Sequence, residues 1–70
     1  GAKLQRADLH GGKLQEAILQ GANLRGAYLY GANLHGANLH GARLQGAVYD
    51  GSTAWPVDFD PWKAGAQIII

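Results

Sequence analysis

Apolar residues recur along the chain with a period of five. Pentads begin at residues 2, 7, 12, 17, 22, 27, 32, 37, 42 and 47. The first position is Ala in nine of the ten, Gly12 being the exception. The third is Leu4, Leu9, Leu14, Leu19, Leu24, Leu29, Leu34, Leu39 and Leu44, then Tyr49. The fifth is Gly in eight, with Arg6 and Glu16 departing early. A period of five suits neither common element. On an α-helix, at about 100° per residue, successive Leu would step by roughly 140° and form no stripe. On one long strand an odd step would send them to alternate faces.

A coil of short extended sides meets the pattern. Ala and Leu two apart point the same way on a short extended piece. If the chain then turns a corner, the next pair points inward again. Gly suits the corner because it tolerates positive φ and has no side chain to clash. Stacked coils of this kind pair their backbones at about 4.8 Å.

The pentads Ala32-Asn33-Leu34-His35-Gly36 and Ala37-Asn38-Leu39-His40-Gly41 resemble the pentapeptide-repeat family. The resemblance covers residues 2–51. It implies an all-β fold, a right-handed quadrilateral β-helix (a β-solenoid) with four pentads per coil. Ten pentads then make about two and a half coils, and residues 20 apart stack. The expected inner columns are Leu4/Leu24/Leu44, Leu9/Leu29/Tyr49, Leu14/Leu34 and Leu19/Leu39, with Ala between them. Tyr49, in a Leu slot, needs a partner for its hydroxyl or must lean outward. The second position departs from the family pattern. Asn or Asp stands there only at Asp8, Asn23, Asn33 and Asn38.

After Gly51 the pattern stops. Residues 52–62 hold two Pro, two Trp and a Phe. Residues 52–65 are expected to close the open end with Trp55, Pro56, Phe59, Pro61 and Trp62. Proline cannot continue a backbone ladder, and a bare ladder end invites stacking by another chain. Thr53, Trp55, Pro56, Phe59, Asp60, Pro61 and Gly65 are similar to the ending of many pentapeptide-repeat proteins, cyanobacterial ones especially. A cyanobacterial source would imply the cytoplasm or the thylakoid lumen. Residues 66–70 form an apolar tail, with Ile68, Ile69 and Ile70 expected to pack on the domain, touch a partner or lead onward. Leu4 is expected at an open N-terminal mouth, covered by further chain or by another protein. The chain is read as a piece of something longer.

Composition narrows the function classes. There is no Cys, hence no disulfide framework and no thiolate metal site. Net charge is +1, neither a nucleic-acid footprint nor an acidic surface. No apolar run approaches the roughly 20 residues of a membrane span. Ser52 is the one serine, and a triad with His10 or His40 and Asp50 has nothing to orient it. His10, His35 and His40 take the fourth pentad position on three different sides, so no metal site is expected. Asp58 and Asp60 read as turn formers beside Pro61. No cofactor and no catalytic residue is expected.

What remains is the outward surface. Arg25 and Arg43 lie on one side, Tyr28 and Tyr30 on the next, and Ile18 is an apolar residue in an outward slot. Tyr and Arg are favoured at protein interfaces. The expectation is a non-enzymatic structural or protein–protein interaction module, a scaffold piece of a larger protein or assembly. Its partner, or a second copy, would contact the N-terminal end, the tail or the Tyr side. Some family members mimic DNA and bind gyrase. That use needs an acidic surface, whereas residues 1–51 hold five basic and three acidic residues. Direct nucleic-acid binding through Lys3, Arg6, Arg25 and Arg43 is the weaker alternative.

Overall fold

Each pentad ends in a turn that its own residues dictate. The C=O of every third-position Leu accepts the N–H of the residue three further on, from Ala7 to Leu4 (3.0 Å) through Ala47 to Leu44 (2.9 Å). In seven pentads the corner residue between them is Gly with φ of 65–75°. A turn whose third residue has positive φ is the type II signature, and that position favours Gly. Arg6 (φ 57°) and Glu16 (φ 60°) hold the same conformation without being Gly. The stacked coils impose it on them against the usual preference of L residues.

The computed structural model describes residues 1–69. Its pairings run parallel with a stagger of 20: Lys3 with Asn23 and Asn23 with Arg43 on side one, Asp8 with Tyr28 and Tyr28 with Val48 on side two, Lys13 with Asn33 on side three, and Ile18 with Asn38 on side four. Each third-position N–H from Leu4 to Leu29 donates to a second-position C=O of the next coil at 2.7–2.9 Å. The stagger brings the Leu columns into the tube. Leu24, Leu29, Leu34 and Leu44 are fully buried, while Leu4, Leu9 and Leu14 at the first coil are only partly so. A fully buried Leu contributes roughly 1.5–3 kcal/mol. Tyr49 is buried in its Leu slot and packs edge-on against Trp55, 5.3 Å between centroids.

The ladder outlives the repeat. Ala54 pairs with Asn33 across a stagger of 21, so Trp55 follows it into the slot above Leu34. Strand β1 (Val48–Tyr49) pairs in parallel with β2 (Gln67–Ile68), and the stagger there is 19. Ala66, one residue earlier, is buried like the Ala residues of side two. The expectation that the pattern ends at Gly51 is therefore corrected for the backbone. Side chains stop repeating there, but sides two and three each gain one more rung. The tail packs on the domain through residues 67–69, with the Ile69 N–H bonded to the Tyr49 C=O at 2.8 Å. The expectation for Ile70 lies outside the described residues.

Candidate functional site

The outward slots are built by the same turn. Asp8, Asn23, Asn33 and Asn38 each accept, on Oδ1, the N–H of the residue two further on, at 3.0–3.2 Å. These Asx turns fix the fourth-position residues His10, Arg25, His35 and His40 at the corners.

Side two carries the aromatic cluster. Tyr28 and Tyr30 stack with centroids 6.2 Å apart and planes 26° apart, and the His10 ring meets Tyr30 edge-on at 6.5 Å. Tyr28 is half exposed. Aromatic rings two apart on one extended side point the same way, and a stacked pair is held more stiffly than a lone ring. Arg43 stacks two rungs above Lys3 on side one, the side that also carries Arg25. Ile18 stands on side four, 83% exposed. The candidate contact residues thus fall on three sides and form no single patch. The three His lie on separate sides. Among the described residues, no three His, Cys, Asp or Glu side chains are grouped to hold a metal ion. Nor is any described helix long and apolar enough to cross a membrane.

The Ser52–Asp50 pair has a structural task. The Ser52 hydroxyl donates directly to Asp50 Oδ1 at 2.7 Å, with no His between them. The same oxygen accepts the N–H groups of Ser52 (3.0 Å) and Gly31 (3.1 Å). Lower in the tube a corner N–H donates to the fourth-position C=O of the next coil, as Gly11 does to Tyr30. At Gly31 the Asp50 carboxylate takes the place of that carbonyl, just where the extra residue enters. The Thr53 hydroxyl completes the junction. It donates to the Leu29 C=O at 2.7 Å and accepts the Asp50 N–H at 3.2 Å. The Ser52 hydroxyl, chiefly, lowers the Asp50 pKa. Partial desolvation opposes it, and the Gly31 and Ser52 N–H groups and the Thr53 hydroxyl assist. Sequence reasoning missed this junction. The one available signal was Asp50-Gly51-Ser52-Thr53, a run of turn formers one residue too long for a pentad.

Beyond it, the residues expected at the C-terminal end gather over the tube. Trp55 stacks on Phe59, 5.3 Å between centroids and 22° between planes. Trp55 Nε1 is buried with no partner among the described residues. Pro56 accepts the N–H of Phe59 at 3.2 Å, and Pro61 accepts those of Ala64 and Ala66. Trp62, by contrast, is 68% exposed. Of the two carboxylates, Asp60 accepts the N–H groups of Trp62 and Lys63, as a turn former does. Asp58, with a positive φ of 66°, is the third residue of the turn closed by the Phe59 N–H on the Pro56 C=O. Between this loop and side four lies an open groove of about 430 Å³, lined by Ala37–Ala42 and Pro56–Phe59.

The same architecture occurs in solved structures. A pentapeptide repeat protein from Nostoc PCC 7120 is 36% identical, with a TM-score of 0.73; the match covers 97% of this chain and 77% of that one. A pentapeptide repeat protein from the cyanobacterium Cyanothece 51142 is 48% identical, with a TM-score of 0.76, over 77% of this chain and 37% of its own. No curated protein sequence matches the chain. The family described as pentapeptide repeats matches in eight copies, over residues 1–21 and 13–46. The chain belongs to the pentapeptide-repeat family, whose members fold as right-handed β-helices.

Proposed function

We propose that the chain is a non-enzymatic structural and protein–protein interaction module of a larger protein or assembly, and that side two is its principal contact face. The stacked Tyr28–Tyr30 pair with His10 at its edge supports this reading. It offers a stiff aromatic surface, polar at its tips, and such residues dominate interface energetics. In the same reading the repeat forms about two and a half four-sided coils, and residues 52–65 act as a cap. The Ile68 and Ile69 side chains, half exposed, add a secondary contact at the C-terminal end.

The test is a double substitution, Tyr28→Ala with Tyr30→Ala. Both residues lie outside the Leu columns, so the circular dichroism spectrum and melting temperature should hold. A protein retained from a cyanobacterial lysate by the wild-type chain should be lost by the double variant. Retention of the same protein by both would reject side two. Tight binding of a DNA duplex at physiological salt would reject the protein-contact reading altogether.

A further inference from the structure

Side four ends differently from side three. On side three the second coil is paired from above, the Leu34 N–H donating to Ala54 and the Ala32 C=O accepting from it, and only the corner N–H of Gly36 is left over among the described residues. On side four the chain makes a turn at Pro56–Phe59, with Asp58 at positive φ, and no backbone hydrogen bond joins it to the pentad below among the described residues. Phe59 returns to stack on Trp55. The second-coil pentad of that side, Ala37 to Gly41, is left with a bare upper edge. Among the described residues, the N–H groups of Leu39 and Gly41 and the C=O of Ala37 have no partner. Their counterparts one coil below all do. Leu19 donates to Asn38 (2.9 Å), Gly21 donates to His40 (2.8 Å), and Ala17 accepts from Asn38 (2.9 Å).

We propose that this edge is a strand-addition site, which takes one extended peptide segment from a partner protein and pairs it in parallel with Ala37–Gly41. This deepens the interaction-module reading and rests on it, but it does not depend on the Tyr pair, since side two lies across the tube. Three observations favour such an occupant. The free groups run acceptor, donor, donor in the order that the tube's own pairing uses, so a segment in the register of the next rung satisfies all three. Main-chain pairing of this kind is a recurring way of binding peptides. Next, the space is present. The groove of about 430 Å³ lies over this edge, and a volume of that order is typical of ligand clefts. Finally, its walls set the chemistry of the guest. Ala37 and Leu39 floor it, Pro56 and Phe59 back it, and Val57, 78% exposed, stands at the rim. The peptide needs a small residue above Ala37 and an aliphatic one above Leu39. The residue between them, above Asn38, faces solvent and is free to vary. Its own N–H must reach the Ala37 C=O, so it cannot be Pro.

The probe is the acetylated, amidated hexapeptide Gly-Ala-Asn-Leu-His-Gly, titrated into the 15N-labelled chain. The Leu39 and Gly41 amide resonances should shift downfield, and their hydrogen exchange should slow. A second peptide with Pro in place of Asn loses the donor to Ala37 and should bind about tenfold more weakly. Val57→Asp, a change at the exposed rim, should weaken the first peptide without altering the melting temperature. Absence of shifts at Leu39 and Gly41 with millimolar peptide would overturn the proposal. So would equal binding of the Pro peptide, or shifts confined to side two. Protection of both amides in the peptide-free chain that rises with protein concentration would assign the edge to a second copy and overturn it too. If the hexapeptide fails while the Tyr28/Tyr30 double variant loses its partner, the groove is rejected and the interaction module stands.

Discussion

Sides three and four carry nearly the same sequence through the second coil. Ala32-Asn33-Leu34-His35-Gly36 and Ala37-Asn38-Leu39-His40-Gly41 differ in no residue type. Their upper neighbours differ completely. Leu34 lies beneath Trp55 and its N–H is bonded to Ala54 at 2.8 Å. Leu39 faces a groove and its N–H is bonded to nothing among the described residues. Identical pentads thus become a closed layer and an open edge. The local sequence decides the shape of a side, and the chain that arrives later decides whether that side is finished.

The largest effect should come from removing the residue that finishes side three. Trp55→Ala deletes the ring packed on Tyr49 and Phe59, and should lower stability by about 3–5 kcal/mol in chemical denaturation. Trp55→Phe tests the orphaned Nε1. It keeps an aromatic ring and removes the unpartnered N–H, whose burial costs about 1–3 kcal/mol. It should therefore lie far closer to wild type.

A pair of truncations sharpens the contrast between the two sides. Leu34→Ala leaves a void closed above and below, and should fall near the top of the range of about 2–5 kcal/mol. Leu39→Ala opens onto the groove, where water can enter and the Pro56–Phe59 loop can settle, and should fall near the bottom of the same range. Equal losses, measured by urea unfolding, would show that side four is as closed in solution as side three.

The corners allow a smaller test. Gly36 has φ of 73°, and a Cβ there would lie 3.0 Å from Glu16 Cγ. Gly36→Ala should cost about 1–2 kcal/mol from the backbone conformation alone. Glu16→Gly, the reverse change one coil below, should raise the melting temperature, because it relieves a non-Gly residue held at φ 60°.

The smallest effect concerns pH. The folded chain holds the Asp50 pKa below its ordinary 3.8. The carboxylate therefore adds stability above that value, and the contribution fades as pH falls from about 4 through the folded pKa. Asp50→Asn keeps an acceptor oxygen but cannot titrate. Its melting temperature should fall less steeply between pH 5 and pH 2 than that of the wild type. Parallel slopes would mean that the carboxylate at the junction is not what stabilises it.

Much of the molecule could be read from the residues. The period of five sorted Ala and Leu inward and the polar positions outward, and the Leu columns stack as that sorting required. Even the departures at Arg6 and Glu16 kept the corner conformation, since neighbouring rungs leave the backbone no other path. Ile18 was legible as exposed because its slot is outward whatever stands in it. The candidate contact residues were legible as a set but not as a surface, because a stagger of 20 scatters them over three sides.

What the sequence determined by itself is the repeating turn, since its cause is local: Gly at the corner, Asn or Asp reaching two residues ahead, Leu and Ala two apart. Tertiary structure alone decided how the repeat ends. Trp55 took a Leu slot, Asp50 replaced its own carbonyl, and Gln67–Ile68 returned to side two. Those steps rest on staggers of 21 and 19, which no repeating motif announces. They follow from which unfinished backbone edge the remaining chain can reach while its aromatic rings cover the core. On side four that chain reaches none of the groups of the second-coil edge, and among the described residues the N–H groups of Leu39 and Gly41 stay unpaired.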